Sequence, residues 1–259
     1  MRLTLLGTGT SMGVPQIGCG CAVCRSEDPR DQRSRTSALI EAGGATILID
    51  TPPELRLQLL RNGVKRIDAV LYTHQHADHT HGIDDLRSFS LKQGAPLPLY
   101  GPADTMAHLG RAFNYIFDGS IVPIAGTSKP SLTLNPLQPD RAVSIAGVEV
   151  LPLQFEHGHA TVFGYRIGDV AYLTDVKRVN EAQRQQLAGV KVLVLNALWW
   201  REHPTHLSIP DAIEVAHAVG AERTYLTHLT HETGHRELLA KLPAGVEPGH
   251  DGLVLEIFR

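Results

Sequence analysis

Within the run His74-Gln75-His76-Ala77-Asp78-His79, three imidazoles and a carboxylate fall inside six residues. Imidazole nitrogens and carboxylate oxygens are the donors that divalent zinc, manganese and iron accept. The apolar stretch Ile67-Asp68-Ala69-Val70-Leu71-Tyr72-Thr73 stands directly before the run and predicts a strand. A strand ending in a tight loop can turn His74 and His76 toward one point, while Asp78 and His79 face a second point nearby. The pattern predicts two adjacent sites for divalent metal, each with mixed nitrogen and oxygen donors. Two such ions close together can bind one water as hydroxide and clamp a scissile phosphate or acyl group. A purification tag is a poor alternative, because tags sit at a terminus and lack an interleaved Asp.

The cysteines form a second constellation. All three lie in Gly18-Cys19-Gly20-Cys21-Ala22-Val23-Cys24. An odd number of thiols cannot all pair within one chain, so a disulfide framework is a poor reading. A structural zinc in the loop 18–24 is the better one, with three thiolates and a fourth donor from elsewhere. A redox-active thiol cluster is the alternative, but such sites usually need only two cysteines.

His-x-His-x-Asp-His after a strand resembles the signature of the metallo-β-lactamase superfamily. That resemblance implies an α/β fold, a four-layer αββα sandwich with a dinuclear metal site at one edge, and further ligands at later strand ends. Candidates stand in the implied order. Val148–Phe155 reads as a strand leading to His157, with His159 as a competitor two residues on. Val170–Thr174 reads as a buried strand ending in Asp175, and Arg223–Thr227 as a strand delivering His228. The resemblance assigns His74, His76 and His157 to one ion, Asp78, His79 and His228 to the other, and Asp175 to both. A helix beginning near Val179 leaves capping as the alternative role for Asp175.

Most superfamily members lack the cysteine cluster. It resembles that of the PhnP-like phosphodiesterases of the carbon–phosphorus lyase pathway, in which three cysteines and a histidine hold a structural zinc. The resemblance places the fourth donor at His231, three residues after His228, with His235 as runner-up. It also covers the opening Leu5–Pro15 and the strand Thr46–Asp50, whose terminal Asp50 would support the metal-binding loop. The opening Gly-rich turn is not Gly-x-Gly-x-x-Gly, and Pro15 discourages the helix that dinucleotide binding requires. In the loop Leu198–Ser208 the resemblance implies a histidine facing the phosphate. His206 matches that place and could assist the leaving oxygen, with His203 as the alternative and Pro204 between them deciding which points inward. Trp199-Trp200 adds bulk that departs from the best-known members.

Other residues carry less. His81 is either a donor near the main motif or a surface residue on the following helix. Arg33 and Arg35 are candidate phosphate contacts, with a solvated loop the simpler expectation. His108, His217 and His250 look structural or exposed.

The elements that must position these groups alternate between helical and strand patterns, as an α/β fold requires. With 259 residues and 42% hydrophobic content, a single domain spanning 1–259 with a substantial core is expected. The Pro-rich stretch 128–136, followed by Pro139-Asp140, predicts turns between two halves, one carrying the main motif and the other His157, Asp175 and His228. No apolar run is long enough to span a bilayer, and no signal-like segment opens the chain. Clustered thiolates suit the cytoplasm. A net charge of −3, with no lysine cluster, argues against a nucleic-acid backbone as partner.

These readings converge on metal-dependent phosphodiester hydrolysis of a small molecule, cyclic or linear, by a metal-activated hydroxide, with Asp78 orienting the nucleophile and His206 assisting departure. The active-site ions would be manganese or zinc. The alternatives are a tRNA 3′-endonuclease, a thiolesterase or lactonase, and a metal-binding carrier in a biosynthetic pathway. The carrier reading would be favoured by loss of a ligand, and none is missing. The oligomeric state stays open, a homodimer being one candidate.

Overall fold

The structure is a computed structural model that describes residues 1–258. Its strands divide into two seven-stranded sheets. The first contains β1 (Arg2–Gly7), β2 (Ser37–Ala42), β3 (Ala45–Ile49), β4 (Ala69–Leu71), β5 (Leu97–Gly101) and β6 (Leu132–Pro136). The second contains β7 (Val143–Ile145), β8 (Val148–His157), β9 (Ala160–Ile167), β10 (Val170–Leu173), β11 (Val192–Asn196), β12 (Arg223–Thr227) and β13 (Val246–Pro248). The last strand, β14 (Leu253–Glu256), returns to the first sheet and pairs antiparallel with β1. The two halves of the sequence therefore do not map one to each sheet.

Helices cover both outer faces. α1 (Leu55–Arg61), α2 (Ala77–Thr80), α3 (Arg87–Gln93), α4 (Ala103–Ala112) and α5 (Asn114–Phe117) follow strands of the first sheet. α6 (Glu181–Leu187), α7 (Ile209–Val219) and α8 (His235–Lys241) follow strands of the second. Between the sheets, Leu3, Ile40, Ile47 and Leu71 meet Val150, Tyr165, Tyr172 and Val194 in one buried cluster. The outer faces bury Leu55, Leu86 and Leu109 on one side, and Leu187, Ala212 and Leu238 on the other. This is the expected αββα sandwich, and burial of both faces explains the unbroken apolar runs of β4 and β11.

Capping sets the helix that follows the His206 loop. The Ser208 hydroxyl accepts from Asp211 N–H, and the Asp211 carboxylate accepts from Ser208 N–H. This reciprocal cap starts α7 at Ile209. Asn180 and Gln183 do the same for α6, so the helix begins at Glu181 and Asp175 is not its cap.

One expectation holds only in part. The Pro-rich stretch 128–136 is not all turn: Leu132–Pro136 is an edge strand paired parallel to β5. Proline lacks a donor N–H, but an edge strand tolerates that, and Pro136 stands at the strand's last position. The link between the sheets lies just beyond, at 137–142, where Pro139-Asp140 form the expected turn.

Parallel pairing decides where the chemistry can sit. β3 pairs parallel with β4, and β10, β11 and β12 run parallel to one another. Parallel strands carry their C-terminal ends to one edge, and Asp50, His74, Asp175 and His228 follow four of those ends.

Candidate functional site

Three site residues have unusual backbone geometry. Asp50, Asp175 and His228 have φ of 60°, 60° and 56°, among only five described non-glycine residues in the left-handed region. An L-residue there costs about 1–2 kcal/mol, so the surrounding structure must hold it. In each case the left-handed turn comes just past a strand end and throws the side chain over the edge of the sheets. Strain concentrated where donors converge is characteristic of functional sites.

The donors fall into adjoining groups. His74, His76 and His157 place one ring nitrogen each within 4.8 Å of one another, and Asp78, His79 and His228 do likewise with one atom each. Asp175 stands between: Oδ2 is 3.3 Å from His79 Nε2 and Oδ1 is 3.3 Å from His228 Nε2. The structure thus brings together all seven residues named from the sequence. His159 lines the same cavity but joins neither group.

Neighbouring groups set which nitrogen each imidazole presents. His74 Nδ1 lies 3.0 Å from Thr73 Oγ1, leaving Nε2 beside His76 Nδ1 at 2.9 Å. Asp50 is wholly buried and accepts from Thr73 N–H (2.8 Å), Thr73 Oγ1 (2.8 Å) and His79 Nδ1 (2.7 Å). That contact turns His79 Nε2 toward Asp78 and Asp175, the supporting role expected of Asp50. His157 Nδ1 donates to the Thr205 carbonyl at 3.1 Å, which frees its Nε2.

These groups fit divalent cations. His79 Nε2 and both ring nitrogens of His228 are buried without a hydrogen-bond partner. Leaving such groups unsatisfied costs about 1–3 kcal/mol each, and cations held by the Nε2 lone pairs of His79 and His228 would remove that cost at those two atoms. The electrostatics agree. Burial opposes charge on Asp78, yet His79 outweighs it and holds the carboxyl well below its usual range. At Asp175 burial is likewise outweighed, by His228 and then His79. Burial pushes His74 well down and His228 down to about 4, so both rings are neutral with lone pairs available. Burial also opposes charge on His79, but Asp78, Asp175 and Asp50 raise it well above its ordinary value. Metal binding displaces such a proton.

Above the donors opens a cavity of about 710 Å³. Ser11, Gly158, His159, Pro204 and Thr205 form walls around His76, Asp78, His157, Asp175, His206 and His228. The choice between the two loop histidines is clear: His206 lines the cavity with Nε2 3.0 Å from Asp175 Oδ1. His203 instead packs edge-on against Trp199. Thr205, Gly158 and Ser11 were not singled out in the sequence. A backbone carbonyl and a hairpin tip leave no residue-type signature, although the glycine between His157 and His159 hints at a close approach.

The cysteine loop closes on the expected histidine. Sγ of Cys19, Cys21 and Cys24 lie 3.3, 3.4 and 3.5 Å from His231 Nδ1. With Zn–S near 2.3 Å and Zn–N near 2.05 Å, a tetrahedral site has S···N edges of about 3.6 Å, so the spacing fits zinc. The Cys24 N–H, donating to Cys21 Sγ, and then His231 lower Cys21 to about 6, whereas burial lifts Cys24 to about 11. A bound cation would favour thiolate at all three. His235 is elsewhere, with its ring against His250 and its Nδ1 3.5 Å from Arg33.

That places Arg33 differently from expectation. It is neither a solvated loop residue nor a phosphate contact but is 2% exposed, donating to Thr8 Oγ1 and Gly249 O. Arg35 pairs with Glu54 and donates to the Ser11 carbonyl. His81 is exposed at the end of α2, its ring against Phe113. The opening loop does link the sites: Thr8 O accepts from Leu229 N–H and Thr10 N–H donates to Leu229 O, pinning the turn between His228 and His231.

Residues 45–229 match the family described as beta-lactamase superfamily domain. The fold superposes on a crystal structure described as a new diphosphatase from the PhnP family with a TM-score of 0.90 and 41% identity, over 99% of this chain and 98% of that one. A Zn(2+)-bound PqqB from Methylobacterium extorquens shares the fold at TM-score 0.78 and 20% identity, over 99% of this chain and 100% of that one. An octanoyltransferase from Porphyromonas gingivalis is 41% identical over 98% of this chain, which spans only 51% of that relative's length. A fold of this kind with these donors supports a metal-dependent hydrolase. The chain belongs to the metallo-β-lactamase superfamily and resembles its PhnP branch.

Proposed function

We propose that this protein hydrolyses a small phosphodiester, with a diphosphate linkage as the nearest variant of the same chemistry. The observation that carries this reading is the joining of two donor groups through Asp175 at the floor of an open cavity, with His206 on its wall. Divalent ions bound there supply Lewis-acid activation of water and neutralise charge developing on phosphoryl oxygens. The chain's residues do the rest. His74, His76 and His157 would hold one ion, Asp78, His79 and His228 the other, and Asp175 both. Cys19, Cys21, Cys24 and His231 would hold a structural zinc. Asp50 keeps His79 aimed, and Asp78 orients the attacking water through its remaining lone pair. His206 presents Nε2 to the cavity, where it can donate to a phosphoryl oxygen or to the departing oxygen.

The diphosphatase relative at 41% identity supports phosphorus chemistry and favours a diphosphate as the second substrate class. The octanoyltransferase relative points to an acyl substrate, but half of its length lies outside this match and is free to carry that activity. The net charge of −3 favours a small molecule over tRNA. No helix among the described residues is long and apolar enough to cross a membrane.

The test is turnover of bis(p-nitrophenyl) phosphate, a disubstituted diphosphate and a p-nitrophenyl ester on metal-analysed protein, with manganese or zinc added. Cleavage of the diester or diphosphate with little action on the ester supports the proposal. Activity confined to the ester transfers it to acyl hydrolysis. No activity on any, with metal loaded, favours a carrier.

A further inference from the structure

One residue touches the imidazoles from two different loops. Thr205 accepts the His157 Nδ1 hydrogen on its backbone oxygen at 3.1 Å and sets its hydroxyl 2.8 Å from His206 Nδ1. Across the His206 ring, Nε2 lies 3.0 Å from Asp175 Oδ1. A carboxylate oxygen only accepts, so Nε2 carries the hydrogen and Nδ1 of the neutral ring accepts from the Thr205 hydroxyl. His203 Nδ1 is the competing acceptor, 3.3 Å from the same hydroxyl and 3.1 Å from His206 Nδ1; it already accepts from Thr205 N–H at 3.3 Å, and the hydroxyl stands closer to His206. Thr205 therefore selects the His206 tautomer whose N–H is directed toward Asp175 and the cavity. At His157 it selects the opposite one, leaving Nε2 free beside His74 and His76.

The hairpin tip permits this arrangement. Gly158 has φ of 60°, and a Cβ there would stand 2.8 Å from Thr205 Cγ2. Only glycine both adopts that backbone conformation readily and leaves room for the threonine methyl.

We propose that Thr205 is a positioning residue that orients His206 and His157 together, and that Gly158 is the gap that lets it reach both. This rests on the reading of His206 given above. Thr205→Val keeps the shape and the carbonyl but removes the hydroxyl. It is expected to lower kcat about 10- to 100-fold. KM should stay within about twofold, and metal content and melting temperature should not change. Thr205→Ser should recover most of kcat. Gly158→Ala should lower kcat and also weaken metal retention in a chelator competition, because it displaces the carbonyl as well. Adding Thr205→Ser to Gly158→Ala removes the methyl that the new Cβ meets, and part of both losses should return.

His206→Ala, measured beside these, separates the two ways of failing. If it abolishes turnover while Thr205→Val leaves kcat intact, or while Thr205→Ser falls as far as Thr205→Val, positioning by the hydroxyl is refuted and the hydrolase reading stands. If the double variant recovers nothing, the role of Gly158 is refuted. If His206→Ala turns over normally, the reading of His206 fails and the positioning of that ring fails with it.

Discussion

Replacing Asp50 by Asn tests whether a residue that faces no solvent controls the metal site. Asp50 Oδ1 accepts from Thr73 N–H, and Oδ2 accepts from both Thr73 Oγ1 and His79 Nδ1. Asparagine offers one acceptor and one pair of donors in the same plane. If its oxygen serves Thr73 N–H, its amide NH₂ faces His79 Nδ1. The ring must then accept at Nδ1 and carry its hydrogen on Nε2, the atom otherwise free beside Asp78 and Asp175. If the amide flips, two donors face each other at Thr73 N–H instead. Either arrangement damages the donor set without changing its residues. Loss of such a supporting contact costs roughly 10- to 100-fold in metal affinity, equivalent to about 1.4–2.7 kcal/mol. The folded apo protein should also lose stability, because the substitution removes one partner of the buried Asp50–His79 pair. The assay is competition against a fluorescent chelator for successive metal equivalents, with apo melting curves alongside. Metal retention equal to wild type in Asp50→Asn would refute the claim that Asp50 sets the His79 tautomer.

Further outcomes can be measured. His76→Ala or Asp175→Ala should reduce turnover below detection; circular dichroism and apo melting should stay near wild type for the exposed His76, whereas apo melting should fall for Asp175, which is buried between His79 and His228. Cys21→Ser should remove about one zinc per chain and lower the melting temperature by about 5 °C or more; unchanged metal content and melting would exclude a structural zinc there. Burial and then Arg33 lower His235 to about 4 from 6.5, so between those values the unfolded chain binds more protons than the folded one. Its contribution is intact above about pH 6.5 and is lost as pH falls toward 4. His235→Asn should flatten the fall of melting temperature with acid, measured at matched metal loading.

Much of the site was legible because it depends on residue types at strand ends. Each donor follows a short apolar run, and the left-handed turns at Asp175 and His228 come just past it. Cys19, Cys21 and Cys24 were legible through their count and spacing, but their meeting with His231 depends on contacts more than two hundred residues apart in the chain. Arg33 misled for the opposite reason. A guanidinium in a polar stretch reads as solvated, yet Thr8 and Gly249 come from distant segments to accept its hydrogens. The Pro-rich strand β6 misled because local turn propensity cannot register that an edge partner waits in β5.

The sequence alone determined which donors exist, how they are spaced along each loop, and which strands would deliver them. Periodicity and ligand chemistry are local properties, written within a few residues. Tertiary structure decided which imidazole nitrogen faces the site, that His206 rather than His203 meets Asp175, and that Thr205 joins two loops. Those outcomes depend on hydrogen bonds to backbone atoms and on close approach at a glycine, where one side of the contact has no side chain to read.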